Sequence, residues 1–158
     1  MKMRIALAVS ILVVLLAGSC SSESLDNTPI PEAVSLTSVE QDLLNIVNSH
    51  RRSLGHADLL FNEVAYDYAN LHNDYMIVNG SLSHDNFSAR ASGITSKVNA
   101  EMVAENVAKD YPSADLALES WLNSPSHRKT IEGDFTHTGI SVKKDTNGKL
   151  YYTQLFYR

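Results

Sequence analysis

The stretch TGISVKKDTNGKLYYTQLFY, residues 138–157, decides the fold that we expect. Its middle, DTNG at 145–148, separates two strand-like runs, and Asn-Gly accepts the positive φ angles of a tight hairpin turn. In the first run Ile140 and Val142 share one face, whereas the second run, 150–157, is largely apolar on both faces. A strand of that kind is covered on both sides. We therefore predict an α/β protein of the α+β type, a three-layer α-β-α sandwich around a small central antiparallel sheet.

Helical patterns precede the hairpin. Thr37 and Glu40 have capping-box spacing and open an apolar repeat of helical period that stops at Gly55. Further helices are predicted at about 62–78, at 113–123, and from Ser124-Pro125 onward, because proline suits the first position of a helix. Residues 81–96 are predicted to be mainly loop, with a possible short helix near 87–91. The pattern at 98–103 fits a strand or a loop equally.

The amino terminus has the pattern of an export signal. A short basic start is followed by thirteen almost purely apolar residues, 5–17, and then by Gly18-Ser19-Cys20. Thirteen residues are too few for a membrane-spanning helix, which needs roughly 20. We expect residues 1–19 to be a signal peptide, Cys20 to be lipidated and 20–35 to be a flexible tether. Ordinary signal-peptidase cleavage after the same small residues is the alternative.

Charge and cysteine content narrow the function classes. Removal of residues 1–19 leaves 11 basic and 18 acidic residues, a formal charge of −7. Nucleic acid is therefore not an expected partner, because its phosphates require a basic surface. Cys20 is the only cysteine of the chain, so the domain at 36–158 has no disulfide and depends on its core. We expect a monomer held at the membrane by its amino-terminal lipid.

Four residues are candidates for a functional site: His84, Glu105, His127 and His137. They show no local metal-binding spacing such as H-E-x-x-H, so only the fold can bring them together. Glu105 lies in an apolar run, where a carboxylate either faces solvent or is buried with a partner. His72 is interpreted as a structural residue that faces other helices, and Leu71 and Tyr75 are expected to point inward beside it.

Several motifs, in order, resemble one known family. They are NSHR at 48–51, LSHDNF at 82–87, AENVA at 104–108, SWLNSPSHR at 120–128, THTGISV at 136–142 and YYTQLF at 151–156. This order is similar to the bacterial branch of the CAP superfamily, which groups cysteine-rich secretory, antigen 5 and pathogenesis-related-1 proteins and is also called the SCP domain. The likeness extends from about Leu36 to Phe156 and implies an α-β-α sandwich.

The resemblance also implies a cleft where two histidines and two acidic residues meet and, in some members, hold a divalent cation. His84 and Glu105 match the first histidine and the first glutamate. The second pair is missing here, because Ser124 and Tyr151 stand at its positions. We infer that His127 fills the vacated corner, with His137 in the same cleft. Ala104 replaces a usual glycine.

The resemblance leaves several roles open. Two imidazoles and a carboxylate could bind Zn²⁺ or Ca²⁺ through His84, His127 and Glu105, transfer protons as catalytic groups, or tie helices to the sheet. We expect an extracytoplasmic lipoprotein at the bacterial cell envelope that binds a small apolar ligand, a glycan or an envelope protein. A divalent-metal-dependent, peptidase-like hydrolase that uses the same cleft is the alternative, and a purely structural envelope component is a third possibility.

Overall fold

The computed structural model describes residues 36–158. The predicted signal peptide (1–19), the predicted lipid attachment at Cys20 and the tether to residue 35 lie outside the described residues. Within the described part of the chain, no helix is both long enough and apolar enough to cross a membrane.

Helices and strands are mixed along the described chain. The helices are α1 (Ser38–Ser53), α2 (Glu63–Asn79), α3 (Phe87–Val98), α4 (Ala114–Asn123) and α5 (Pro125–Ile131). The strands are β1 (Leu60–Phe61), β2 (Val103–Lys109), β3 (His137–Lys144) and β4 (Leu150–Tyr157).

The strands form one sheet in the order β1-β3-β4-β2. The long strands β3, β4 and β2 pair antiparallel, as predicted. The two-residue β1 was not predicted, and it pairs parallel to β3, so the sheet is mixed rather than purely antiparallel. Two residues are too short to show a strand period in the sequence. β2 lies at one edge of the sheet, and this position matters for the site.

Two helical layers cover the sheet, which confirms the predicted sandwich. α2 and α3 lie on one face, where Ala65, Ala69 and Ile94 pack against Leu155 and Tyr157. α1, α4 and α5 lie on the other face, in a core that includes the following buried residues: Leu43, Val47, Trp121, Ile131, Ile140, Tyr152 and Phe156. Every residue of β4 from 151 to 157 is buried, as its two apolar faces indicated.

Two segments differ from the sequence prediction. α3 has 12 residues where mainly loop was expected, because its apolar stripe is thin: only Arg90 and Ile94 of this helix are buried, and Phe87 and Val98 are partly buried in the same cluster as Ile94. The strand of this region is Val103–Lys109, not 98–103. A glutamate on its buried face interrupts the apolar alternation that normally identifies a strand.

The NSHR motif at 48–51 is a structural anchor. Asn48 exchanges two hydrogen bonds with the backbone of Leu59, accepting from its N–H at 2.8 Å and donating to its carbonyl at 3.1 Å. The buried Arg51 guanidinium donates to the carbonyls of Ala57, Ile131, Gly133 and Phe135. α1 thereby fixes the segment that follows α5.

Gly139 lets α2 lie directly on the sheet. A Cβ atom at this position would stand 2.1 Å from the Tyr66 backbone nitrogen and 2.2 Å from the Ala65 carbonyl carbon. Gly139 pairs with Leu155, which pairs in turn with Glu105, so the three form one row across the sheet. The close approach of α2 at one end of this row brings the later turns of the helix over Glu105.

Candidate functional site

Glu105 is the centre of the candidate site. It lies on the edge strand β2, with its side chain directed towards α2 and α3 and only 1% exposed. Burial opposes its ionisation, but hydrogen bonds from His84 and Arg90 and the charge of Arg90 outweigh that effect, so the pKa of Glu105 lies below the ordinary carboxyl value. The carboxylate is therefore ionised at neutral pH.

Arg90 of α3 makes a two-pronged ion pair with Glu105. Its Nε donates to Oε2 and its Nη2 donates to Oε1, both at 2.8 Å. A third bond joins Nη1 to the Asp85 carbonyl at 2.6 Å and fixes the loop between α2 and α3. Parallel bonds of this kind are stronger and more directional than a single charged contact.

His84 lies on that loop and completes the shell of Glu105. Its Nδ1 is 2.9 Å from Oε1. Because a carboxylate can only accept, Nδ1 carries the hydrogen, which leaves Nε2 as the acceptor of the neutral ring. The His84 side chain is 52% exposed. The loop thus presents an imidazole with a fixed orientation at the mouth of the cleft.

His72 lies on α2, fully buried beside Glu105. Its Nε2 donates to the Ser83 carbonyl at 2.8 Å and lies 3.8 Å from Glu105 Oε1. Burial lowers its pKa despite the nearby carboxylate, so the ring is neutral near pH 7. His72 lies beside Glu105 of the sheet and also borders α3, where Ala89 and Arg90 line the same hollow. The expected inward residues Leu71 and Tyr75 are exposed.

His127 reaches the cleft from the opposite face of the sheet. Its backbone carbonyl accepts from Asn106, the neighbour of Glu105, at 3.1 Å. Successive side chains of a strand point to opposite faces, so α5 lies across the sheet from α3. Burial and the nearby charge of His84 both lower the pKa of His127. α5, which carries His127, and the loop that carries His84 therefore both adjoin β2, on opposite faces of the sheet.

Local sequence explains how α5 holds His127. Pro125 occupies the first turn of this helix, where its missing N–H costs nothing. Arg128 Nε donates to the Leu122 carbonyl at 2.5 Å and ties α5 to the end of α4. The S-P-x-H-R motif thus orients the helix that carries the ring.

His137 does not join the cluster. It lies at the start of β3, two strands away from β2, and its ring stacks on Tyr157 with centroids 4.7 Å apart. Its Nδ1 is 2.8 Å from the Thr136 hydroxyl. The prediction that His137 lines the cleft is therefore not supported, because the antiparallel register places it opposite Tyr157 rather than beside Glu105.

The predicted metal ligands do not form a metal site. In residues 36–158, no group of three or more His, Cys, Asp or Glu side chains is arranged to hold an ion. Both oxygens of Glu105 accept from Arg90, and one also accepts from His84. A cation at Glu105 would meet the positive guanidinium there. These residues therefore do not fit Zn²⁺ or Ca²⁺, and no chemistry is assigned to a metal.

A hollow of about 260 Å³ adjoins the cluster on the other side of Arg90, between α2 and α3. Its walls are largely aromatic and apolar, and it is lined by Tyr68, Leu71, His72, Tyr75, Asn86, Ala89 and Arg90. A larger cavity, about 430 Å³, lies beside the β3–β4 hairpin and contains none of the candidate residues. The larger of these two hollows is therefore separate from the candidate residues.

Sequence reasoning missed Arg90 and underestimated His72. The signal for Arg90 was indirect. Glu105 was predicted either to face solvent or to be buried with a partner, and three other arginines lie in the helical segments near the candidates. His72 lies at helical spacing from Ala65, Ala69 and Met76, the residues that α2 buries. That stripe of small residues identifies the inward face of α2 better than its larger apolar residues do.

Comparison with known proteins agrees with this architecture. The family model described as "CAP: Cysteine-rich secretory protein family" matches residues 44–156. The chain is 31% identical over 126 residues to the uncharacterized membrane protein YlbC of Bacillus subtilis (strain 168), covering 76% of this chain and 34% of that protein. The chain thus spans about a third of the length of this curated relative.

Two solved structures share the fold. A crystal structure of an extracellular protein with an SCP domain from Bacillus anthracis aligns with TM-score 0.67 at 27% identity, over 80% of this chain and 45% of that one. An outer surface protein from Borrelia burgdorferi aligns with TM-score 0.71 at 18% identity, over 79% of this chain and 96% of that one. With the matched family model and the His84–Glu105 cleft, the chain belongs to the CAP, or cysteine-rich secretory protein, family.

Proposed function

We propose that this chain is an extracytoplasmic lipoprotein of the bacterial cell envelope whose CAP domain binds a polar ligand or partner through His84 and His127. One observation carries the proposal. Glu105 is fully engaged within the protein, yet it holds the half-exposed ring of His84 in one orientation at the mouth of the cleft. A preorganised imidazole of this kind offers a directed hydrogen bond to a ligand.

The polarity of the cleft selects among ligand classes. An apolar molecule over the two imidazoles would leave their polar atoms without partners, which costs free energy. A glycan or a peptide segment offers hydroxyl and amide groups that pair with both rings. We therefore favour a glycan or an envelope protein over a small apolar ligand in the His84–His127 cleft, and assign a small apolar molecule, if one binds, to the hollow beside Tyr68 and Tyr75.

The hydrolase alternative receives less support. As a metal enzyme it requires three ligands around an open position, and Arg90 occupies the carboxylate that would be one of them. His84 with Glu105 has the geometry of a base oriented by a carboxylate. However, the described residues include no hydroxyl or thiol within hydrogen-bond distance of either nitrogen of that ring that would act as its nucleophile. Binding is therefore the better proposal.

The binding proposal is tested by titration of the isotope-labelled domain with soluble peptidoglycan fragments, which supply both glycan and peptide. Chemical shift changes are expected at His84 and His127, and either His84→Ala or His127→Ala is expected to abolish them. His56→Ala, on the exposed segment after α1, is the control, and naphthalene, which has no polar group, is the apolar probe. Saturable binding of naphthalene that depends on His84, with no response to the fragments, would contradict the choice of a polar ligand.

The anchoring proposal has a separate test. The wild-type chain is expected in the membrane fraction with an acylated amino-terminal cysteine, identified by mass spectrometry of the mature protein. The Cys20→Ser variant is not expected to be processed to this acylated form. A mature chain with an unmodified terminus, released from membranes, would support ordinary signal-peptidase cleavage instead.

A further inference from the structure

Two hollows outside the His84–His127 cleft meet at one residue, Tyr111. The first, about 430 Å³, lies beside the β3–β4 hairpin, and the second, about 400 Å³, lies along α4. Besides Tyr111, the first is lined by Asp110, Pro112, Lys144, Gly148, Lys149 and Leu150, and the second by Leu116, Glu119, Ser120, Asn123 and Ser124. Because Tyr111 lines both hollows, they form one groove, which we call the Tyr111 groove.

The fold holds Tyr111 at both ends of the residue. Asp110, directly after β2, has a positive φ of 68°, which aspartate tolerates, and the chain leaves the sheet there. The Tyr111 carbonyl accepts from the hydroxyl of the buried Tyr152 at 2.8 Å, and the Tyr111 hydroxyl bonds to Ser120 of α4. Tyr111 therefore reaches from the end of the sheet to α4, with a partly buried side chain in a fixed position.

Exposed polar side chains line the groove on both sides of Tyr111. They offer amines, carboxylates and an amide, from Lys144, Lys149, Asp110, Glu119 and Asn123. Lys149 pairs with Asp110 at 3.4 Å, but the two side chains are 53% and 48% exposed, so this contact is weak. The groove therefore has both hydrogen-bond donors and acceptors available to a ligand.

We propose that the Tyr111 groove binds a linear oligosaccharide, with one sugar unit in each hollow and Tyr111 between them. A sugar ring is apolar on its C–H face and carries hydroxyl groups around its edge. An aromatic side chain packs against such a face, and hydroxyl groups, which both donate and accept, pair with amines, carboxylates and amides.

A peptide segment matches the groove less well. Peptides commonly bind at an unpaired sheet edge or in an apolar groove. Here the two hairpin strands beside the first hollow are paired with each other up to Lys144 and Leu150, and most residues that line the groove are polar. The observations therefore favour a sugar chain over a peptide.

The inference goes beyond the proposed function, because no residue of the Tyr111 groove belongs to the His84–His127 cleft. It adds a second site for one of the ligand classes favoured there, a glycan, and it depends on neither histidine. Binding in the groove is therefore expected to be unchanged in His84→Ala and in His127→Ala.

The test uses the purified full chain in a detergent without sugar headgroups, with three linear trisaccharides as probes: chitotriose, cellotriose and maltotriose. Saturation-transfer difference NMR measures the binding of each. Wild type is expected to bind at least one of them with a Kd of about 1 mM or tighter. Tyr111→Ala is expected to weaken that binding roughly tenfold or more, and Asn123→Ala about threefold. Tyr68→Ala, which removes a partly buried tyrosine on the other face of the sheet, is the matched control and is expected to bind like wild type.

Three results would overturn the inference. The first is no saturable binding of any trisaccharide by wild type. The second is trisaccharide binding that a folded Tyr111→Ala variant retains in full; if His84→Ala abolishes that binding, the sugar lies in the cleft of the proposed function instead. The third is binding of a peptidoglycan stem peptide without sugar that depends on Tyr111, with no response to the trisaccharides.

Circular dichroism on each variant separates loss of binding from loss of the fold. If Tyr111→Ala does not fold, the exposed residues Asn123 and Lys144 decide the question. Wild-type affinity in both Asn123→Ala and Lys144→Ala would then overturn the inference, and weaker binding in both would support it.

Discussion

Glu105 shows how one buried carboxylate organises its neighbours. It accepts from a guanidinium on α3 and from an imidazole on the preceding loop. A buried charge of this kind is tolerated only because its partners replace the lost hydration. The ion pair therefore contributes more to the arrangement of the cleft than to net stability, since removal of either partner leaves the other charge unpaired.

Glu105→Gln tests this dependence at the level of one residue. The amide keeps the shape but leaves Arg90 buried without a counter-charge, so we expect a loss of about 3 kcal/mol in the free energy of unfolding. Urea denaturation measures the change, with Glu101→Gln on the exposed turn before β2 as the matched control. A loss below about 1 kcal/mol would mean that Arg90 finds other partners or solvent.

At the level of elements, the cleft depends on how α1 and α2 are seated. α1 fixes the chain after α5 through the carbonyl contacts of Arg51, and α2 reaches the sheet because Gly139 has no side chain. Neither residue touches the site. Each positions an element that carries one of its histidines, His127 on α5 and His72 on α2.

Arg51→Met is expected to destabilise the fold by more than about 3 kcal/mol. It removes the donors of the buried carbonyls of Ile131 and Phe135, and an unsatisfied buried group costs roughly 1–3 kcal/mol. Arg52→Met is a control one residue away, because Arg52 makes only exposed contacts, an ion pair with Asp58 and a hydrogen bond to the Ser49 hydroxyl, and an exposed ion pair is worth about 1 kcal/mol at most. Equal denaturation midpoints for the two variants would contradict the anchoring role of Arg51.

Gly139→Ala is expected to displace α2. The added methyl meets backbone atoms of that helix, which cannot rotate away as a flexible side chain would. The cost is expected to be about 3 kcal/mol, at the upper end of overpacking effects. Gly80→Ala is the control, because it has open space and a positive φ of 64°, so its cost is conformational, about 1 kcal/mol. Thermal unfolding measures both variants, and a lower unfolding temperature for Gly80→Ala than for Gly139→Ala would contradict the close-packing argument.

At the scale of the whole molecule, one buried and one partly buried histidine make stability depend on pH. The pKa values of His72 and His127 are lowered in the fold, by burial above all. Just below about pH 6.5, the unfolded chain therefore binds more protons than the folded chain does, so a decrease in pH favours unfolding. This contribution to stability is complete above about pH 6.5 and falls as the pH decreases. The lowered pKa of Glu105 adds a further loss at more acidic pH, below its unfolded value.

Denaturation measured between about pH 7 and pH 5 tests this sign. Wild type is expected to lose stability steadily over that interval. His72→Gln, whose amide can still donate to the Ser83 carbonyl, is expected to show a shallower slope, and His56→Gln serves as the exposed control. If the stability of His72→Gln changes with pH as steeply as that of wild type, protonation of His72 is not linked to unfolding.

The sequence predicted the layers of the molecule better than the interior of its site. The two apolar faces of β4, the capping box of α1 and the position of the hairpin at 145–148 are local patterns, and each was confirmed. The conformation of the turn was not, because Gly148 has a positive φ and Asn147 does not. The pairing of His84 with Glu105 was accessible only through family resemblance, because 21 residues separate them. Arg90 was missed because its segment was predicted to be mainly loop rather than the helix α3, and His137 was misassigned because register is not visible in one strand alone.

The central claim is that Glu105 orients His84 by accepting from Nδ1, and the tautomers of the histidine rings test it most directly. Long-range ¹H–¹⁵N correlation spectra of the domain at about pH 8, where imidazoles are mainly neutral, distinguish the protonated nitrogen of each ring. The account predicts hydrogen on Nδ1 for His84 and on Nε2 for His72, with the His84 preference lost in Glu105→Gln. A wild-type His84 with its hydrogen on Nε2, or with both tautomers averaged, would contradict the account.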